Sequence, residues 1–244
     1  MTLDYSRQYA KFHPNDPGHR PGLTLLHHRI LGPLLPGDRE APILDVGCGA
    51  GYVLEDVRAL GYMQTRGIEP NPALADAARA RGQPVDMIAN TSMFLQGQPG
   101  AYQVVLLMDV LEHIPRTDQP GFLRAIAGSL RPNGRLICSV PNASSAISGY
   151  WLHNDYTHQL SFTEDSLEFL LEQTGFGDVT ICGPEIWVRP RFLFWLPTAR
   201  STAWWLRCLL RWRQRATYVA ELGWERGRRI ALTPNLLAVA NKKK

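Results

Sequence analysis

The chain has 244 residues, of which 45% are hydrophobic and 20% charged, with 21 Gly and 18 Pro. This length is sufficient for one large domain with a buried core, and the composition excludes collagen, coiled coils and low-complexity sequence. The net charge of +4 is unevenly distributed, because residues 187–229 contain ten Arg, no Lys, two acidic residues and six of the seven Trp. A basic, Trp-rich segment of this kind indicates contact with an anionic partner.

Membrane-spanning and secreted proteins are also disfavoured. The longest strongly apolar stretch, 192–199, is far shorter than the roughly 20 residues of a spanning helix. Residues 1–11 include Asp4, Arg7 and Lys11 and contain no apolar stretch, so no signal peptide is visible. The four cysteines lie far apart in the sequence, which disfavours both a zinc site and a disulfide framework. We therefore expect a cytoplasmic protein.

The predicted elements change character near residue 40. Residues 1–40 have no sustained period and several prolines, so we predict an irregular N-terminal arm with one helix over 23–31. From residue 42, short apolar runs alternate with helical patterns, which is typical of βαβ units on a parallel sheet. The predicted strands cover 43–46, 66–69, 85–88, 104–108, 135–140, 179–182 and 235–240.

A glycine-rich turn follows the first predicted strand, where residues 45–51 read DVGCGAG. Glycines at 47, 49 and 51 let the backbone approach a ligand, and the next helix offers free N–H groups at its start. The dinucleotide fingerprint fails, because its third glycine would stand at Tyr52. Asp45, before the first glycine, would repel a phosphate. The turn therefore predicts a ligand without phosphate at this point.

Glu69 ends the second predicted strand, 18 residues after Gly51. An acidic residue at this place in an α/β fold can accept both hydroxyls of a ribose. S-adenosylmethionine is a nucleoside with ribose hydroxyls, a charged tail and no phosphate. The sequence therefore predicts S-adenosylmethionine as the ligand.

Together with VLLMDVLEHI at 105–114 and LRPNGRLICSVP at 130–141, this pattern closely resembles the class I S-adenosylmethionine-dependent methyltransferases. The resemblance covers residues 40–183, and 232–242 resembles the final strand of that fold. Within the superfamily, the chain is similar to the branch around ubiquinone-type O-methyltransferases and sugar or polyketide methyltransferases. The resemblance implies an α/β, Rossmann-like, doubly wound sheet of seven strands with the last one antiparallel and helices on both faces. The competing interpretation is a doubly wound protein whose glycines only pack helix against strand.

The resemblance also implies roles for individual residues. The glycine turn would line the methionine end, Glu69 the ribose, and Asn90 the adenine amine, at a place where the family usually has an acid. Tyr5 or Tyr9 would close over the cofactor, or else would only pack within a helix. The cofactor-binding residues implied in this way are Asp45, Gly47, Cys48, Gly49, Gly51, Glu69, Pro70, Asn90, Met108, Asp109 and Val110.

Transfer to a hydroxyl requires a base, whereas an amine needs less help. We choose His158 as the base, with Asp155 orienting it, and keep His113 at the end of the central strand as the second candidate. The alternatives are that residues 151–158 form a polar loop satisfying its own backbone, and that Glu112 and His113 only cap the coming turn. We predict no metal.

Residues 184–233 interrupt the alternation of strands and helices and are predicted to be an insertion. As a helix, residues 199–220 have arginines on one side and an apolar seam on the other, formed by Trp205, Leu209, Trp212, Ala216 and Val219. This helix is either a lid or dimerisation helix that buries its seam, or, with the wedge at 192–197, a contact to an anionic membrane through 192–219. Nucleic acid is disfavoured, because the segment contains no Lys.

We therefore predict an arm (1–40), a methyltransferase core (41–183), an insertion (184–233) and a final strand with a basic tail (234–244). The expected function is O-methylation of a small or lipid-linked acceptor such as a glycan, quinone precursor or polyketide. The alternatives are an N-methyltransferase of a small molecule and a non-catalytic cofactor-binding scaffold at the membrane. The expected localisation is cytoplasmic, with the insertion at the inner membrane face. The sequence does not define the acceptor or the oligomeric state.

Overall fold

A computed structural model describes residues 4–12, 20–184 and 198–243. Within these residues, seven strands form one sheet in the order β3-β2-β1-β4-β5-β7-β6. The strands are β1 (Ile43–Val46), β2 (Thr65–Glu69), β3 (Val85–Met87), β4 (Tyr102–Met108), β5 (Leu130–Pro141), β6 (Phe176–Cys182) and β7 (Asn235–Lys242).

The pairing of the strands confirms the predicted doubly wound sheet. β1 pairs in parallel with β2 on one side and with β4 on the other, while β7 runs antiparallel to both β5 and β6. The chain therefore winds outward in both directions from β1 and β4. Ligands of such sheets bind beyond the carboxyl ends of the strands, where the winding reverses. Here that place lies beyond Val46 and Met108.

Helices cover both faces of the sheet. Asn71 caps the start of the helix that begins at Pro72, and Thr163 caps the start of the helix that begins at Glu164. The helices are α1 (Tyr5–Phe12), α2 (Arg20–Leu31), α3 (Tyr52–Ala59), α4 (Pro72–Ala80), α5 (Thr91–Gln96), α6 (Gln119–Ser129), α7 (Ser148–Asn154), α8 (Glu164–Glu172), α9 (Ala199–Leu222) and α10 (Trp224–Gly227). None of the described helices is both long and apolar enough to cross a bilayer.

Part of the N-terminal arm was predicted wrongly. Residues 4–12 are not irregular, because Tyr5–Phe12 is a helix. This segment has no apolar run that would signal a helix from sequence, and a helix of eight residues is not stable alone. Its tyrosines are held by long-range contacts with the glycine turn and with His113. Tertiary contacts of this kind cannot be read from a local pattern.

The core lies on both faces of the sheet. In β4, Val105 and Leu107 pack against α6 and α8, whereas Val104 and Leu106 pack on the opposite face against α2 and α3. All four side chains are completely buried. This explains why β4 is apolar throughout, since a parallel strand covered on both faces has no polar side.

Gly67 in β2 is required by the packing of helices on this sheet. A Cβ at this position would lie 2.6 Å from Leu54, 2.7 Å from Cys48 Sγ and 2.9 Å from Val85. These three side chains belong to a small buried cluster that joins α3 to the edge of the sheet. The glycine therefore makes room for α3 directly behind the glycine turn.

The two sides of α9 differ in their surroundings. Its apolar seam faces solvent, with Trp205 50%, Leu209 59% and Trp212 69% exposed. The opposite side faces the protein, where Gln214 and Tyr218 both donate hydrogen bonds to the carbonyl of Ser144. The described residues therefore do not bury the seam, and the choice between lid, dimerisation helix and membrane contact stays a prediction. The predicted wedge at 192–197 lies outside the described residues.

Candidate active site

The glycine turn lies between β1 and α3. Gly47, Gly49 and Gly51 have φ angles of 70°, 54° and 81°, a region that favours glycine over residues with a Cβ. A Cβ on Gly47 would lie 2.7 Å from Val110, and one on Gly49 would lie 2.6 Å from the Tyr9 hydroxyl. The turn thus needs glycine both for its backbone shape and for the side chains packed against it.

Glu69 braces this turn from the end of β2. Its Oε2 accepts the N–H of Gly49 at 2.9 Å, and its Oε1 accepts the N–H of Asn71 at 2.9 Å. The carboxylate is 5% exposed, and burial raises its pKa, although these two N–H groups act in the opposite direction. Each oxygen keeps a second acceptor position, which a pair of ribose hydroxyls could use.

Asp45 carries an incompletely satisfied carboxylate in the same place. It is 1% exposed, and its Oδ2 has no hydrogen-bond partner in the structure. Burial, followed by the nearby charge of Glu69, raises the pKa of Asp45 to about 7. A buried carboxylate without a partner is costly, and a cationic ligand would relieve that cost. The amino group of S-adenosylmethionine provides such a cation, so these residues fit the implied cofactor.

Other predicted donor-site residues take definite places around the turn. Cys48 is buried beneath it, whereas Pro70 is exposed at its rim. The side chain of Asn90 accepts the N–H of Met93 and so caps α5. This capping bond uses the amide oxygen that the sequence analysis assigned to the adenine amine. The assignment of Asn90 as an adenine contact stays a prediction.

The segment after β4 is held in place by Asp109. This residue has a φ of 54°, and its Oδ1 accepts the Ser139 hydroxyl and the Asn235 amide, both at 2.8 Å. The carboxylate thereby joins the ends of β4, β5 and β7. Met108 and Val110, on either side of it, are half-buried. Val110 contacts Gly47, which places this segment against the glycine turn.

The N-terminal helix α1 spans the site. The Tyr9 hydroxyl accepts the N–H of Ala50 at 3.2 Å, and the Tyr5 ring contacts the His113 ring with centroids 5.8 Å apart. The two tyrosine rings lie 6.4 Å apart. Both tyrosines therefore lie over the site, one on the glycine turn and one on the imidazole, rather than packing only within their own helix.

Two histidines form a pair at the end of β4. The rings of His113 and His158 are 4.7 Å apart, edge to face. His158 Nδ1 lies 2.8 Å from the carbonyl oxygen of Trp151, and His113 Nδ1 lies 2.8 Å from the hydroxyl of Thr157. Since a carbonyl only accepts, His158 carries its proton on Nδ1. Sequence analysis named both histidines but not Thr157.

Asp155 does not orient His158 as predicted. Its carboxylate accepts the N–H and the hydroxyl of Thr157, at 2.8 and 2.7 Å. The contact between Asp155 and His158 is a backbone one, in which the His158 N–H donates to the Asp155 carbonyl at 3.3 Å. The reason is local, because an aspartate side chain folds most readily onto the backbone N–H two residues later. Asp155 therefore acts on Thr157.

Glu112 is fully buried beside the pair. Among the residues that the structure describes, neither of its carboxylate oxygens has a hydrogen-bond partner, and Oε1 lies 4.0 Å from His158 Nε2. Burial, and then the charge of Asp109, raise the pKa of Glu112 well above its usual value. The side-chain amide of Gln119 donates to the carbonyls of Leu111 and Ile114 and so stabilises the turn that contains Glu112. Glu112 therefore neither caps a turn nor bonds to His113.

One carboxylate oxygen of Glu112 and one nitrogen from each histidine lie within 4.8 Å of one another. A carboxylate and two imidazoles at this spacing are a ligand set that divalent transition metals use. The same groups also form a site for moving a proton. The sequence-based expectation of no metal stays a prediction.

The glycine turn, Glu69 and the imidazole pair lie together at the carboxyl ends of β1, β2 and β4, the edge of the sheet at which α/β folds bind their ligands. Comparison with known proteins defines the family. Residues 20–181 match the methyltransferase domain family, and the chain belongs to it.

Relatives of known sequence are similar to this chain over about half of its length. Ubiquinone biosynthesis O-methyltransferase from Methylocella silvestris is 36% identical over 127 residues, covering 48% of each chain. The protein of the same name from Xanthomonas euvesicatoria is 36% identical over 111 residues, covering 43% of this chain and 45% of its own. The alignments thus span about half the length of these relatives.

Solved structures share the fold across almost the whole chain. A SAM-dependent methyltransferase from Archaeoglobus fulgidus superimposes with a TM-score of 0.68 at 18% identity, covering 98% of this chain and all of its own. A 1,6-didemethyltoxoflavin-N1-methyltransferase from Burkholderia thailandensis gives 0.55 at 19% identity, covering 99% and 86%. These neighbours confirm the class I methyltransferase fold.

Proposed function

We propose that this protein transfers the methyl group of S-adenosylmethionine to a hydroxyl of a quinone-precursor type of acceptor, small or lipid-linked. The observation that carries the proposal is the imidazole pair, His113 and His158, held at the end of β4 next to the glycine turn. A phenolic hydroxyl must lose a proton during transfer, and a neutral imidazole is suited to accept it. The names of the Methylocella and Xanthomonas relatives support this choice of acceptor.

The donor site binds and aligns its ligand through the chain's own groups. Glu69 would accept the ribose hydroxyls, and the carboxylate of Asp45 would pair with the cationic amino group. S-adenosylmethionine, when bound, supplies the methyl group: an O–C bond forms as the S–C bond breaks, and sulfur keeps the electron pair. Tyr5 and Tyr9, which contact the His113 ring and the glycine turn, would exclude water from the donor site. Alignment at close distance is the main contribution that a protein makes to such a displacement.

Two alternatives are less well supported. An N-methyltransferase acting on a free amine would not need a buried base. A non-catalytic scaffold would have no use for the imidazole pair, or for the buried carboxyl of Glu112 that lies 4.0 Å from it. Fold similarity to the Burkholderia N1-methyltransferase does not decide the question, because one fold hosts many acceptors.

The test is transfer of labelled methyl from S-adenosylmethionine to catechols with and without a prenyl tail, and to matched aminophenols. We expect O-methylated catechol from the wild type. His113→Gln and His158→Gln should identify the base by a loss of about 10²–10⁴-fold in kcat for one of them, while S-adenosylhomocysteine binding persists. If both variants keep wild-type kcat on a catechol, or if only the amine is methylated, the O-methyltransferase proposal is wrong.

We further propose that α9 docks on an anionic membrane surface, which would bring a lipid-linked acceptor to the site. Its outward face presents Trp205, Leu209 and Trp212, all at least half exposed, with Arg213 exposed beside them. Indole and aliphatic side chains with an adjacent arginine match the boundary of an anionic bilayer. The bonds from Gln214 and Tyr218 to Ser144 anchor this helix just after β5.

Liposome flotation tests the membrane proposal. The wild type should float with vesicles of phosphatidylglycerol and phosphatidylcholine but not with phosphatidylcholine alone. Trp205→Ala combined with Trp212→Ala should abolish flotation. Phe169→Ala is the matched control, because Phe169 is 66% exposed on a different helix, α8, and its loss should change nothing. Flotation of the double variant at the wild-type level, or no flotation of the wild type, would reject membrane docking.

A further inference from the structure

Three side chains outside the donor site form a continuous hydrogen-bonded chain. The Asp155 carboxylate accepts the hydroxyl of Thr157 at 2.7 Å and the backbone N–H of the same residue at 2.8 Å. The Thr157 hydroxyl oxygen in turn lies 2.8 Å from His113 Nδ1. Asp155 is 5% exposed, so this chain is shielded from water at its far end.

The direction of each hydrogen bond follows from what each group can donate. A carboxylate only accepts, so the single proton of the Thr157 hydroxyl points to Asp155. That hydroxyl can then only accept from the imidazole, which requires His113 to carry its proton on Nδ1. The other ring nitrogen, Nε2, is consequently left as an acceptor.

We propose that Asp155 and Thr157 are positioning residues that hold His113 in its Nδ1–H tautomer, so that His113 Nε2 accepts the proton of the acceptor hydroxyl. This inference rests on the proposed O-methyltransferase function and takes His113 as the base instead of His158, which sequence analysis chose. His158 has the same Nδ1–H tautomer, but its Nε2 faces the buried Glu112 carboxyl at 4.0 Å. The hydroxyl proton passes to His113 Nε2 as the oxygen bonds to the methyl carbon. The imidazolium then releases the proton to solvent before the next turnover.

The surroundings of His113 agree with this assignment. Burial, and then the neighbouring imidazole of His158, lower the pKa of His113, which favours the neutral form of the ring. The Tyr5 ring lies 5.8 Å from it, and a carboxylate oxygen of Glu112 lies within 4.8 Å of one of its ring nitrogens. The carboxylates of Asp155 and Asp109 act on its pKa in the opposite direction. After proton transfer, Nδ1–H still donates to Thr157, whose hydroxyl dipole is aligned by Asp155 and stabilises the cation.

The first experiment reads the tautomer directly. Long-range ¹H–¹⁵N NMR of ¹⁵N-histidine protein, with EDTA present so that no metal occupies a ring nitrogen, should show His113 protonated on Nδ1. Thr157→Val removes the hydroxyl but keeps the side-chain shape, and should give a mixture of tautomers. Thr157→Ser should restore the wild-type spectrum. An Nδ1–H ring that persists in Thr157→Val, or an Nε2–H ring in the wild type, would overturn the proposal.

The second experiment measures turnover on a catechol acceptor, with and without EDTA. Thr157→Val should lower kcat by about 10- to 100-fold, with little change in acceptor KM or in S-adenosylhomocysteine binding, and Thr157→Ser should recover most of the loss. Thr117→Val is the matched control, because the exposed Thr117 hydroxyl also donates to an aspartate, Asp118, at 3.1 Å. Unchanged kcat in Thr157→Val would refute the role.

The two experiments separate this inference from the proposed function. If no acceptor is methylated by the wild type but the tautomer follows Thr157 as described, the O-methyltransferase proposal fails while the hydrogen-bonded chain stands. If catechol is methylated but the tautomer is unaffected by Thr157→Val, the positioning role of Asp155 and Thr157 is wrong, while the O-methyltransferase proposal stands. Should Thr157→Val not fold, Asp155→Asn gives the same spectral test. The asparagine amide can donate to the Thr157 hydroxyl, which then no longer has to point its proton away from His113.

Discussion

Asp45 lowers the stability of the folded protein when no cationic ligand is bound. Its pKa is raised to about 7 in the folded protein, against 3.8 for the ordinary group, so folding favours the protonated form. Its contribution to stability is therefore fully present below pH 3.8 and is lost as the pH rises towards and through 7. At pH 8 the folded protein must hold a buried carboxylate with an unpartnered oxygen.

Asp45→Asn should consequently stabilise the ligand-free protein while destroying its donor site. We expect a Tm a few degrees above wild type at pH 8 and little difference at pH 4, at roughly 2–4 °C per kcal/mol for a chain of this size. S-adenosylmethionine binding should fall at least 10-fold, because the amide cannot pair with an ammonium group. Calorimetry at both pH values checks this.

Asp38→Asn provides the control for Asp45→Asn. Asp38 is exposed and accepts only a local backbone N–H from Glu40, so its replacement should leave both Tm and binding unchanged. A lower Tm for Asp45→Asn at pH 8, or unchanged binding, would show that Asp45 is a satisfied structural residue.

The donor site could be predicted from sequence because its signals are local. Asp45 lies near the end of β1, the glycines follow that strand, and Glu69 ends β2, so strand order alone brings them together. Thr157 gave no such signal. It reaches His113 across 44 residues through the particular shape of the loop after α7, and nothing in the sequence fixes the direction of a threonine hydroxyl.

At the level of packed elements, Gly67 controls how closely α3 approaches β2. Gly67→Ala would push a methyl group into Leu54, Cys48 and Val85, and overpacking of this kind costs about 1–3 kcal/mol. Urea unfolding should show that loss without a change in the slope of the transition. Gly128→Ala on the exposed side of α6, where the methyl group meets open space, should be neutral or slightly stabilising. Equal stability of both variants would contradict this packing.

Asp56 attaches α2 to α3. It is 2% exposed and accepts bonds from Arg20 and His27, and although burial opposes ionisation, these bonds outweigh it and lower the pKa of Asp56. Its contribution to stability is therefore present above the unfolded pKa and is lost as the pH falls through the lower, folded pKa, opposite to Asp45.

Asp56→Ala should cost about 3 kcal/mol at pH 7, because it leaves Arg20 without its buried partner. Glu55→Ala removes the more exposed partner of the same arginine and should cost less than about 1 kcal/mol. Urea unfolding at pH 7 distinguishes the two. Equal losses of stability in the two variants would mean that the more exposed Arg20–Glu55 pair holds α2 to α3 as strongly as the buried Asp56 does.

Strands were easier to predict than the short helices. β1 was predicted over its observed range, since four consecutive buried residues followed by glycine form a strong local signal. β5 begins earlier than predicted, because the chain pairs with β4 at Leu130, shifts register, and resumes at Arg135 after Asn133 adopts a φ of 61°. α5 and α7 were not predicted, because each is too short to show a helical period.

Across the fold, the sheet explains both the site and the insertion. The carboxyl ends of β1, β2 and β4 carry the donor carboxylates and the imidazole pair, while α9 is attached beyond β5 at Ser144. The amphipathic pattern of α9 could be predicted, but the side that faces the protein could not. The polar Gln214 and Tyr218 bind a backbone carbonyl, and so the apolar seam turns outward.

The central claim is that an adenosyl ligand binds between the glycine turn and Glu69. Isothermal titration calorimetry with S-adenosylhomocysteine tests it most directly, using the wild type and Glu69→Gln. We predict one site per chain for the wild type and a loss of at least 10-fold in affinity for Glu69→Gln. The amide has a single accepting oxygen, which cannot serve both backbone N–H groups and both ribose hydroxyls. No heat with S-adenosylhomocysteine, or equal affinity in both proteins, would contradict the account.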